Sequence, residues 1–143
     1  MKILILGASY GSLLSTKLLM AGHDVTLICR SKSAALINDG GTEVRIKLRD
    51  EDSHRAFRSR DLAGTLDAVT PTDARPEDYD MISLAMQEPQ YSDPQVRDLM
   101  QRMAASRKPC LSIMNMPPLP FLRRIDALAE APLDMCYDDA SVW

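Results

Sequence analysis

The stretch best suited to chemistry is Gly7-Ala8-Ser9-Tyr10-Gly11-Ser12, a run of mostly small residues between an aliphatic segment and an amphipathic one. A glycine-containing turn at a helix start lets backbone approach a phosphate. The unpaired N–H groups and the positive end of the helix dipole then favour the anion. Gly7 fits the first position of the dinucleotide pattern G-x-G-x-x-G, Ser9 stands in place of the second glycine, and the last glycine arrives one residue early at Gly11. The same residues spell G-x-S-x-G, the nucleophile elbow of hydrolases. That chemistry needs a histidine placed after an acidic partner. The chain has only His23 and His54, and His23 lies in the turn Ala21-Gly22-His23-Asp24. Phosphate binding is therefore the favoured reading, and no catalytic residue is assigned within these 143 residues.

A second cluster, Cys29-Arg30-Ser31-Lys32, closes the next aliphatic run. Folds that prefer NAD place an acid there to accept from the ribose 2′-hydroxyl. A guanidinium beside an ammonium suits a 2′-phosphate instead. Cations at a helix start also oppose the helix dipole, which an anionic ligand would offset. The expected cofactor is NADP, held by Gly7, Ala8, Ser9, Tyr10, Gly11 and Ser12 at its pyrophosphate and by Arg30 and Lys32 at its extra phosphate.

These residues need a frame. Residues 2–6 read as a strand buried on both faces. Leu14, Leu18 and Ala21 then form a helical stripe over residues 11–21, stopped by Gly22, before a second strand at Val25–Cys29. Strand, helix and strand make a βαβ unit with a right-handed crossover. Further on, the pattern predicts a helix over 31–38, a half-exposed strand at 43–48, and a charged loop or edge strand over Arg49–Arg60. Strands follow at Leu66–Val69, Met81–Met86 and Pro109–Met114. A helix capped by Ser92 or Asp93, with Pro94 in its first turn, buries Val96, Leu99, Met100 and Met103. A last helix over 119–130 groups Phe121, Leu122, Ile125 and Leu128. The predicted class is α/β: a Rossmann-like, doubly wound, mostly parallel sheet with helices on both faces.

Composition narrows the partners. With 17 basic and 20 acidic side chains the formal charge is −3, which gives no whole-chain basic field for nucleic acid or an anionic membrane. No segment reaches the roughly 20 apolar residues of a membrane span. The three cysteines have neither metal-site nor disulfide spacing, so no metal is expected and a cytoplasmic, reducing compartment is. The expected partner is a small-molecule carbonyl substrate. Apolar surface on the last helix would drive homodimerisation.

The opening, MKILILGASYGSLLSTKLLMAGHDVTLICR, resembles the N-terminal domain of ketopantoate reductases (2-dehydropantoate 2-reductases), most closely in Ala21–Arg30. The likeness continues more weakly through Asp80–Gln87 to Asn115. It implies that Gly7–Ser12 hold a pyrophosphate, that Arg30 holds a 2′-phosphate, that Ala85 and Gln87 bind the cofactor, and that Asn115 reaches the nicotinamide side or the substrate. Three departures stand out. The phosphate turn is one residue short. Ala85-Met86-Gln87 occupy the place of the family's lysine, and Met116 that of a glycine. They imply a reductase of another keto acid or similar carbonyl compound. The family's catalytic lysine belongs to a helical second domain, so residues 1–143 are expected to be the dinucleotide-binding domain of a longer enzyme, inactive alone. The alternative is a stand-alone nucleotide-binding or regulatory module.

Overall fold

A computed structural model describes residues 1–113, 117–137 and 140–142. Along the chain run β1 (Lys2–Leu6), α1 (Ala8–Met20), β2 (Asp24–Ile28), α2 (Ser31–Gly40), β3 (Glu43–Lys47) and β4 (His54–Arg58). They are followed by β5 (Leu66–Val69), β6 (Met81–Leu84), α3 (Pro94–Ser106), β7 (Cys110–Ser112) and α4 (Leu119–Leu122). Five strands pair in parallel in the order β5-β2-β1-β6-β7, and β3 with β4 makes a separate antiparallel hairpin.

The central strand shows why the opening run is apolar at every position. Ile3 and Ile5 join a cluster with Leu19 of α1 and Ala34 of α2, on one face of the sheet. Leu4 and Leu6 join Val96, Leu99 and Met103 of α3 on the other. These four side chains are at most 1% exposed, each contributing about 1.5–3 kcal/mol by burial. Helices thus cover both faces, and the fold is the Rossmann-like, doubly wound α/β class expected.

Local chemistry explains most boundaries. Asp93 caps α3 by accepting from Gln95 N (2.8 Å) and Val96 N (3.3 Å), and Pro94 occupies the first turn. Part of the charged stretch over 49–60 forms β4, whose Phe57 pairs with Val44 and is buried while its neighbours are exposed. On the outer edge of β5, Asn38 acts as a one-residue strand: its Nδ2 donates to the Ala68 carbonyl (2.8 Å) and its Oδ1 accepts from the Ala68 N–H (2.8 Å).

Two expectations need correction. Helix α1 begins at Ala8, not residue 11, because Gly7 alone makes the turn at φ 104°, ψ 110°. Ser12, at the end of the expected turn, lies inside the helix and bonds back to the Ser9 carbonyl (2.8 Å), as Ser15 Oγ and Thr16 Oγ1 do to the Ser12 carbonyl (2.9 and 2.8 Å). The helix over 119–130 is also broken. Only Leu119–Leu122 is α-helical, Ile125 is extended, and a single 3-10 turn follows at Asp126–Leu128. Short helices depend on a packed face, and Phe121 remains 59% exposed.

Candidate functional site

From β1 the sheet extends one way through β2 and the other way through β6, so its topological switch point lies between β1 and β6. Open parallel sheets bind ligands outside the carboxyl ends of strands at such a point. The turn after β1 and the segment after β6 meet here. Gly7 N donates to the Ile28 carbonyl of β2 (3.0 Å), and Ala85 N donates to the Leu6 carbonyl (2.8 Å). A Cβ on Gly7 would lie 2.5 Å from the Ala85 carbonyl oxygen and 2.6 Å from Met86 Cγ. Gly7 therefore serves both a positive-φ turn and a close chain crossing.

The α1 N-terminus is electrostatically open. Gly11 N is bonded to the Gly7 carbonyl (3.0 Å), which leaves the N–H groups of Ala8, Ser9 and Tyr10 without an acceptor inside the helix. No side chain caps this end and no acid lies in its first turn. Ser9 and Tyr10 are exposed, and Ala8 and Ser12 are half-buried.

Gly11 has a different position from the rest of the motif. It is buried, and a Cβ there would come 2.8 Å from Ile5 Cγ2 and 3.4 Å from Leu27 Cδ2. It faces the sheet, the role of the helix-packing glycine in dinucleotide folds.

At the end of β2, Arg30 occupies the cap position of α2 in extended backbone (φ −66°, ψ 149°), and Lys32 lies in the first turn. Both are exposed, and that turn holds no acid. Among the described residues neither side chain has a hydrogen-bond or ion-pair partner. Burial pushes the neighbouring Cys29 thiol up, so it stays protonated and is a poor nucleophile.

Across the switch point, Gln87 Nε2 donates to Tyr10 Oη at 2.6 Å. Gln87 is itself fixed by a capping box: its side chain accepts from the backbone of Gln90, and its N–H donates to Gln90 Oε1 (3.0 Å). The structure thus joins Gly7 and Tyr10 directly to Ala85 and Gln87, with Ala8 and Ser9 on the same turn. Arg30 and Lys32 stand at the same sheet end, on the β2 side. Asn115 lies outside the described residues. Sequence reasoning missed Met86, packed at Gly7, and Tyr91, whose fully buried hydroxyl accepts from Met86 N (3.4 Å). The three-residue spacing of Gln87 and Gln90 was the available local sign of this turn.

The family model described as Ketopantoate reductase PanE/ApbA matches residues 3–115. The chain belongs to the ketopantoate reductase family. Its fold is similar to that of a 2-dehydropantoate 2-reductase from Methylococcus capsulatus, at TM-score 0.55 and 18% identity over 90% of this chain and 37% of the other. A Bacillus subtilis protein described as a probable 2-dehydropantoate 2-reductase matches at TM-score 0.54 and 25% identity, over 80% of this chain and 34% of its own. This member of the ketopantoate reductase family therefore spans about a third of the length of those solved structures. No curated protein matches the chain significantly. Among the described residues no helix is long and apolar enough to cross a membrane.

Proposed function

We propose that this chain is the NADPH-binding part of an oxidoreductase that reduces a keto acid or a similar carbonyl compound. One observation carries the reading: an uncapped helix start with no acid in its first turn lies at the same sheet end as two cations, Arg30 and Lys32, that have no partner among the described residues. This donor set fits a dinucleotide that carries a 2′-phosphate besides its pyrophosphate. The N–H groups of Ala8, Ser9 and Tyr10 hold the pyrophosphate, with the dipole of α1 behind them. Arg30, by its planar fork, and Lys32, as a point charge, hold the 2′-phosphate. Gly11 acts one step removed, by letting α1 lie close enough to the sheet to aim its first turn at the crevice. Ala85 and Gln87 border the nicotinamide side, and the family resemblance assigns Asn115 to the nicotinamide or the substrate.

When bound, the reduced nicotinamide supplies a hydride to the carbonyl carbon. Residues 1–143 bind and orient; the proton for the carbonyl oxygen comes from the helical domain of a longer enzyme. A cytoplasmic location accords with the three cysteines being free. A second reading, nucleotide binding without turnover, is favoured by one feature: the residues assigned to the crevice include no carboxylate and no imidazole.

Fluorescence titration with NADPH and NADH side by side tests the proposal. NADPH should bind at least about tenfold more tightly, the range of a charge-assisted contact. Equal affinities overturn the 2′-phosphate assignment, and failure to bind either cofactor overturns the whole reading.

A further inference from the structure

We propose that Tyr10 and Gln87 form a latch across the crevice, which must open before a dinucleotide can reach the α1 N-terminus; this rests on the dinucleotide reading above. The bond joins residues 77 positions apart, one in the first turn of α1 and the other in the segment after β6. Those are the two sides of the switch point. Tyr10 also carries one of the three N–H groups assigned to the pyrophosphate, so its ring stands beside the ligand's route.

The Gln87 side of the latch is rigid and the Tyr10 side is free to turn. Gln87 is held at its N–H and side-chain oxygen by Gln90. The preceding backbone is held in turn, since Met86 N donates to buried Tyr91 and Ala85 N to Leu6. Tyr10 is 52% exposed and belongs to neither apolar cluster of the sheet. Opening therefore amounts to a swing of the Tyr10 ring about its Cα–Cβ bond. It frees the amide Nε2 of Gln87, a fixed donor then available to an oxygen of the bound dinucleotide.

The energetic consequence is a tax on binding. A protein that admits its ligand only when open has its affinity reduced by the open fraction. A neutral hydrogen bond between exposed groups shifts such an equilibrium by about two- to tenfold.

The test is stopped-flow NADPH binding by the wild-type chain, Tyr10→Phe and Tyr10→Ala, with urea midpoints measured alongside. Tyr10→Phe deletes only the acceptor oxygen. It should raise the apparent association rate and the affinity by about two- to tenfold, while the urea midpoint falls by no more than the loss of that one bond. Tyr10→Ala should bind at least as fast as Tyr10→Phe. Wild-type rates in Tyr10→Phe, with NADPH still bound, overturn the latch and leave the dinucleotide reading standing. Faster binding in Tyr10→Ala alone assigns the effect to ring bulk and equally rejects the bond. If no form binds NADPH, the dinucleotide reading fails and the latch with it.

Discussion

The Gly7 α-carbon faces the Ala85 carbonyl so closely that a single added methyl would sit 2.5 Å from that oxygen. The turn that opens α1 and the segment that leaves β6 are thereby one packed unit. Gly7→Ala has to meet both this clash and a φ of 104°. Backbone strain of this kind costs about 1–3 kcal/mol, before any cost of separating the two segments. Urea unfolding should show a loss of at least that size, accompanied by weaker NADPH binding.

Gly11→Val separates packing from binding. From sequence alone, close approach of backbone to a phosphate suggests that this change abolishes binding and spares the fold. The structure revises that expectation, since the first added carbon already lies 2.8 Å from Ile5 Cγ2. Overpacking of a well-filled core costs about 1–3 kcal/mol. The variant's unfolding midpoint should fall by that amount, with binding lost as a consequence.

Arg30→Ala tests cofactor choice. Its guanidinium has no partner among the described residues, so its removal should leave the unfolding midpoint unchanged. NADPH affinity should drop by about 1.5–3 kcal/mol and NADH affinity far less. Equal losses for the two cofactors would reject the assignment.

Asp24 supplies a pH-dependent tie at the opposite end of the sheet. Its carboxylate accepts from Thr65 Oγ1 (2.7 Å) and Thr65 N (3.1 Å), and these bonds hold its pKa below the ordinary value of 3.8. Arg58 and Arg45 lower Glu43 in the same way. A carboxyl depressed in the folded state binds fewer protons there than in the unfolded chain. Its contribution is therefore complete above the ordinary pKa and lost as pH falls through the lowered one. Urea midpoints measured from neutral to acidic pH should decline, and Asp24→Asn should decline less.

What the sequence revealed follows from the range of each interaction. The four apolar residues of β1, the Asp93-Pro94 helix start and the 3-4 spacing of Val96, Leu99 and Met103 are local patterns, and the structure contains all three. The exposed places of Arg30 and Lys32 at the start of α2, with no acid in that turn, likewise follow from adjacent residues. The start of α1 was misplaced because small polar residues serve turns and tightly packed helices alike; only Ile5 and Leu27, brought in by the fold, distinguish the two. The helix over 119–130 failed for want of a surface to pack on. The bond between Tyr10 and Gln87 depends on two strand ends becoming neighbours, which no window of sequence records.

Asn38 blunts one margin of the sheet. With the outward-facing amide and carbonyl of Ala68 both occupied by that one side chain, a stray extended peptide cannot pair through the middle of β5. Misassembly at that margin is thus discouraged by an asparagine.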